Sequence, residues 1–387
     1  MVGLLNMLVV SVAWQSMPVL FNSISQDLGL TLGQIGVIWS MMPIGGGVSS
    51  LFGGLLADRF GCRLAVASSC FLMALSGALR GLAPNFAFMA TTMFLLGLFS
   101  NIGYPGMLRA LRLAFPAKQF SSANGVAIAS FGTGAMLVTA LGAGLLMSTF
   151  GNWRNVLYFY AVISAVMGAA WLMTIRESSI AACHNDGTTE TIINPPFWQA
   201  FRRVIHNRNV WLLATAAIGQ FGAFRGLSGY LPLYLEETGI GKVTADTMVS
   251  TIFLFSIFGA LIIPFVADRF GKRKLFMMSS SIVFAACAYL VSRLTGDILW
   301  WLFPLYGMVA NGTYVLLLTM GVDTKGLGAV YAGTAAGLIV TVGNVGGFLG
   351  PVIGGRLAEI NLLWPFILWA SLVAFSVICI YLVDETK

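Results

Sequence analysis

Two arginines raise the question of chemistry. Arg225 stands sixteen residues into an apolar run and about ten before Glu236, and Arg109 lies in the second half of another run. An ion removed from water without a partner costs several kcal/mol even after relaxation, so charges inside a membrane span are functional candidates by default. All fourteen Asp and Glu residues fall at the ends of apolar runs or between them, which leaves no carboxylate placed to neutralise either arginine. A guanidinium offers a planar fork of donors that fits carboxylate, phosphate or nitrate, and it stays protonated. The chemistry expected is capture of a small anion, with Arg225 as its main contact. Arg109, one turn before Arg112 and seven residues before Pro116, also has the reach to snorkel to a membrane surface.

An internal repeat supplies polar partners. The stretch from Gly54 to Arg63 (GLLADRFGCR) returns as Pro264 to Arg273 (PFVADRFGKR), with Asp58 and Asp268 210 residues apart. The same offset relates Gly29 to Gly239, Gly97 to Gly307, Asn101 to Asn311 and Tyr104 to Tyr314; it drifts by one at Trp153 and Trp364. Subtracting it from Arg225 gives Gln15, beside Trp14, so these residues are expected at pseudo-symmetric positions facing one another. Asn101 with Tyr104, and Asn311 with Tyr314, form a second matched set. Amide and phenol groups donate to anion oxygens and are costly in lipid without a partner; a hydrogen bond between helices is the competing use of each.

The charged hairpins themselves read as a gate. Glycine permits the tight turn, and the aspartates can cap a neighbouring helix or pair with arginine when that side is closed. Asp58, Arg59 and Arg63, with Asp268, Arg269 and Arg273, are the expected gating residues.

The elements that position these groups follow from composition. With 58% hydrophobic and 9% charged residues the chain is an integral membrane protein, since soluble domains are about a quarter charged. Twelve apolar runs fit helices across about 30 Å of hydrocarbon, at approximately 3–26, 33–56, 64–82, 86–114, 121–149, 153–175, 209–235, 246–267, 275–294, 298–320, 328–358 and 362–383. The alternating segments of a membrane β-barrel are lacking, and the first run reads as a retained helix. The predicted fold is all-α, with twelve transmembrane helices as two pseudo-symmetric six-helix bundles, 1–175 and 209–387. A cytoplasmic linker, 176–208, joins them. Within it, Phe197, Trp198, Phe201, Val204 and Ile205 share one face and Arg202, Arg203 and Arg208 another, as in a helix lying at the membrane interface.

With the N-terminus inside, inner loops and tail hold fourteen Lys and Arg and outer loops five, namely Arg80, Arg154, Lys242, Arg293 and Arg356. That bias places both termini in the cytoplasm. It also accounts for the net charge of +7 without nucleic acid. Five cysteines without CxxC spacing, and two histidines confined to the linker, suggest no disulfide framework, metal or cofactor.

The loop signature G-x-x-x-D-R-x-G-x-R at Gly54 to Arg63, its second copy, Pro232 near the end of the seventh run and the six-plus-six plan together resemble the major facilitator superfamily of secondary transporters, over essentially the whole chain. The resemblance implies that helices 1, 4, 7 and 10 line a central cavity, and so places Arg109 and Arg225 on cavity helices. Departures are Cys62 at a basic position, Pro264 at the leading glycine, and Met93 where the family carries an arginine associated with proton-coupled members. The antiporter-type pattern G-x-x-x-G-P-x-x-G-G occurs at Gly346 to Gly355, in span 11 where the family has it in span 5; glycines so spaced also permit tight helix packing.

The function expected is secondary transport of a small anion, an organic carboxylate or an inorganic oxyanion, by alternating access in the plasma membrane. The alternative is efflux of hydrophobic or amphipathic compounds, motivated by 28 Phe and 18 Met. No convergent nucleophile, acid–base pair or metal set argues for an enzyme. The expected partners are the anion, a counter-anion or proton, and the bilayer, for a protein acting as a monomer. The lack of a carboxylate within a span points to exchange or uniport.

Overall fold

The computed structural model describes residues 2–114, 117–174, 197–322 and 332–384. It is built of helices: α1 (Val2–Leu28), α2 (Leu32–Gly81), α3 (Phe86–Ala114), α4 (Ala117–Leu141), α5 (Met147–Phe150), α6 (Trp153–Thr174), α7 (Phe197–Ile205), α8 (Arg208–Glu237), α9 (Lys242–Phe270), α10 (Arg273–Leu290), α11 (Leu299–Val322), α12 (Ala332–Ile360) and α13 (Trp364–Tyr381). Each of the twelve expected spans has its helix. Among the described residues nine helices are long and apolar enough to cross a membrane. Of the linker, 176–196 lies outside the described residues. The interfacial helix expected within the linker is α7, with Val204 buried and Arg202 and Arg203 exposed.

Local chemistry sets the breaks. Thr31 begins α2 with a capping box: the Gln34 amide N–H donates to Thr31 Oγ1 at 3.3 Å and the Thr31 N–H to Gln34 Oε1 at 3.0 Å. Gly61 then interrupts α2 at φ 79°, so that this 50-residue element serves as two spans joined by the first charged hairpin. Gly271 occupies the same left-handed region, φ 64°, in the second hairpin. Only glycine takes such angles without strain. Between α4 and α5 a π-helical turn, Gly142–Leu146, breaks the fifth span.

The repeat persists in packing. A Cβ on Gly97 would lie 2.0 Å from the Met42 carbonyl oxygen, and one on Gly307 would lie 2.0 Å from that of Ile252. Both the glycines and their contacts are 210 residues apart. The glycines of the span-11 pattern are used in the same way, since a Cβ on Gly346 would reach 1.9 Å from the Ile218 carbonyl oxygen and one on Gly350 2.4 Å from that of Gly222. Small residues of this kind let membrane helices approach backbone to backbone.

The chain falls into two packed units. One comprises Met1–Thr188 with Pro232–Ser250, and the other Thr189–Leu231 with Thr251–Lys387. The first has a core that includes Val66, Cys70, Met107, Ala127 and Trp171. The second is centred on Val210, Leu213, Ala217, Met277, Leu317, Ile339 and Ile380. The first unit takes in the last turn of α8, from Pro232, and the first turns of α9. Hydrogen bonds hold those ends there: Asn22 Nδ2 donates to Glu236 Oε2, and Lys242 Nζ donates to Ser23 Oγ at 3.1 Å.

Candidate functional site

In the second unit, α8 owes its close seat to three glycines. A Cβ would lie 2.2 Å from the Leu372 carbonyl oxygen at Gly219, 3.0 Å from that of Gly346 at Gly222, and 2.2 Å from the Trp369 ring at Gly226. That glycine face fixes α8 against α12 and α13, and Phe221, one turn before Arg225, also packs on α12, where a Cβ on Gly343 would lie 2.9 Å from its ring. Phe221 packs on Tyr314 of α11, ring centroids 5.4 Å apart. The Arg225 guanidinium lies near enough to the Tyr314 hydroxyl to interact electrostatically. Both side chains are half-buried. Of the predicted site residues, Arg225 and Tyr314 are thus brought together: a fixed cation beside a phenol, the donor types that bind an anion oxygen. Directly before Phe221, Gln220 Nε2 donates to Ser281 Oγ at 3.2 Å, leaving its buried Oε1 without a hydrogen-bond partner among the described residues.

In the first unit, Gln15 is 5% exposed on α1, and its Oε1 has no partner among the described residues. Trp14 beside it meets Phe131 edge to face at 5.6 Å. A residue that sequence reasoning misplaced joins them. Arg80, assigned above to an outer loop, is 1% exposed inside this unit. Its Nη1 donates to the Ala13 carbonyl and Ser16 Oγ, both at 3.4 Å, and approaches Met93 Sδ at 3.8 Å; its Nε has no hydrogen-bond partner among the described residues. The reason is directional. A long side chain in a helix tilts toward the helix N-terminus, so Arg80, near the C-terminal end of α2, runs back between the helices and not out to the loop. Met93 is the position at which the resemblance calls for an arginine, and a guanidinium reaches it from α2.

The matched Asn and Tyr residues divide. Asn311 Nδ2 donates to the Ser256 carbonyl at 3.0 Å. Asn101 Nδ2 reaches the Gly97 carbonyl at 3.4 Å and packs on Gly46, where a Cβ would come within 2.3 Å of it. Gly46 and Ser256 are themselves 210 apart, so both amides make pseudo-equivalent contacts between helices. Tyr104 is exposed. The side chain of Arg109 lies outside the described residues.

The side chains of Asp58 and Arg59 also lie outside them. Arg63 turns inward, donating through Nε (3.2 Å) and Nη2 (2.6 Å) to the Leu172 carbonyl in the last turn of α6. In the second hairpin Arg273 pairs with Asp268, while Arg269 is exposed. Lys274 Nζ donates at 2.6 Å to the carbonyl of Val383, just beyond α13.

Comparisons with known proteins agree with this architecture. The sequence model described as Major Facilitator Superfamily matches residues 2–351. The sialic acid transporter NanX of Escherichia coli (strain K12) is 24% identical over 373 residues, spanning 94% of this chain and 87% of that protein. The cis,cis-muconate transport protein of Acinetobacter baylyi is 27% identical over 362 residues, 87% of this chain and 82% of that one. Among solved structures, a mutant of the nucleoside transporter NupG superposes with a TM-score of 0.79 over 99% of each chain at 15% identity, a likeness of fold.

Proposed function

Because the chain belongs to the Major Facilitator Superfamily and is a multi-pass membrane transporter, we propose that it carries a small anion, an organic carboxylate or an inorganic oxyanion, by alternating access. The observation that carries this reading is Arg225, half-buried midway along a 30-residue span with the Tyr314 phenol beside it. A guanidinium held in a span is expensive, and an anionic cargo that visits it each cycle accounts for its retention. The names of two relatives, which transport sialic acid and cis,cis-muconate, support the same substrate class, since both compounds bear carboxylates.

In this reading Arg225 and Tyr314 coordinate the anion, with Gln15, Trp14, Tyr104 and Arg109 contributing contacts as the cycle proceeds. Asn101 and Asn311 hold helices together. The hairpins carrying Asp58, Arg59 and Arg63, and Asp268, Arg269 and Arg273, close the cytoplasmic side. Both termini are cytoplasmic: with Arg80 removed from the outer loops the basic count becomes fourteen against four, which strengthens the bias. The protein acts as a monomer in the plasma membrane.

Counterflow of labelled anions into proteoliposomes tests the proposal. Exchange of at least one carboxylate or oxyanion, above empty liposomes, is expected. A response confined to neutral or cationic amphipathic compounds replaces the anion reading with efflux.

A further inference from the structure

The carboxylate that the sequence places at a span end is inside the protein. The apolar run suggests that the eighth span starts at Asp246, but α9 begins at Lys242, which puts Asp246 a full turn into the helix. It is 0% exposed, and neither carboxylate oxygen has a hydrogen-bond partner among the described residues. Leaving an ionised carboxylate there without hydrogen bonds costs several kcal/mol.

Groups from three helices act on it. From α6, the Tyr160 hydroxyl, itself buried and without a hydrogen-bond partner among the described residues, lies close enough to feel the Asp246 charge. From α8, Glu236 acts on it, and from its own helix so does Lys242, one turn earlier. Asn22 and Ser23 of α1 hold Glu236 and Lys242. The π-helical turn in the fifth span borders the same place: a Cβ on Gly142 would lie 2.8 Å from Val19 Cγ1 and 3.8 Å from Tyr160 Oη. Such turns gather at functional sites.

We propose that Asp246 is a proton-binding site of the transport cycle. In the arrangement described, its carboxyl group carries a proton, so that a neutral acid is what is buried. When the ends of α8 and α9 part from α1 and α6, water reaches the group; the O–H bond breaks, the proton passes to water, and the carboxylate is left solvated. Binding of the proton and closure of the Asn22–Glu236 and Lys242–Ser23 contacts are thereby coupled. A metal cation fits poorly. Hard cations take several oxygen ligands, whereas one carboxylate and one phenol converge here beside the Lys242 ammonium, and no group of three or more His, Cys, Asp or Glu forms a metal site among the described residues.

The inference rests on the chain being a transporter and not on which anion it carries. Infrared difference spectra of the purified full-length protein, recorded while pH is stepped from alkaline to acid, read the proton directly. A carboxylic-acid C=O band typical of an apolar setting is expected in the wild type, absent in Asp246→Asn, and shifted in frequency in Tyr160→Phe. Thermal unfolding of the variants confirms that they are folded. A wild-type spectrum that Asp246→Asn leaves unchanged overturns the proposal, as does a band that responds to sodium and not to pH. Failure of every anion in counterflow, with the band intact, overturns the substrate reading and leaves the proton site standing.

Discussion

Arg63 holds the end of α6, its guanidinium donating twice to the Leu172 carbonyl. The second half repeats the device one residue out of register, with Lys274 on the carbonyl of Val383, which lies 211 residues after Leu172. The last carbonyls of a helix have no partner within it, and a cation there also opposes the helix dipole. Each unit therefore uses one basic hairpin residue to tie its third span to its sixth. Arg63→Ala and Lys274→Ala should each lower stability by about 1–2 kcal/mol, less than the upper range for charged hydrogen bonds because both groups are half-buried. Thermal unfolding in detergent reads this directly.

Glycine contacts give a sharper pair. Gly97→Ala and Gly307→Ala each drive a methyl to 2.0 Å from a carbonyl oxygen of the neighbouring helix, and backbone cannot yield cheaply. Both variants should fail to accumulate in membranes. Gly47→Ala, whose added methyl meets no atom of another helix within 4 Å among the described residues, should accumulate as wild type.

Asn311 and Arg225 should separate stability from function. Asn311→Ala removes the bond to the Ser256 carbonyl. Hydrogen bonds of this kind between membrane helices average about 0.6 kcal/mol and reach about 1.7, so the melting point should fall while the concentration giving half-maximal uptake stays put. Arg225→Gln should instead keep its melting point and lose uptake.

Arg80 is a charge kept at a cost, 1% exposed with Nε unsatisfied among the described residues. Exchanging a buried ion for an apolar side chain of similar size is often neutral or stabilising, by up to about 4 kcal/mol. Arg80→Met should therefore match or exceed the wild type in thermal unfolding. Uptake by this variant should nevertheless drop at least about tenfold, the equivalent of 1.4 kcal/mol of lost interaction.

Much of this was legible in the sequence. Twelve spans, their break at Gly61 and the matched halves follow from apolar run length and a constant 210-residue offset, because helix length and pseudo-symmetry are written locally. The pairing of Arg225 with Tyr314 joins two residues that the repeat had already marked. Arg80 and Asp246 were not legible. Both stand within a turn of a helix end, where a sequence places a charge near water; the tilt of one side chain and four extra residues at the start of α9 carry them inside. The amides of Asn101 and Asn311 illustrate a further limit, since only a neighbour's position, Gly46 or the Ser256 carbonyl, decides whether such a group meets a helix or a ligand.

The most direct measurement is counterflow of a labelled anion, chosen as one that the wild type exchanges, by Arg225→Gln protein reconstituted in proteoliposomes at equal density. Exchange should fall to the level of empty liposomes while the melting temperature stays within a few degrees of wild type. Exchange at the wild-type rate by a folded Arg225→Gln protein would contradict an anion site built on α8.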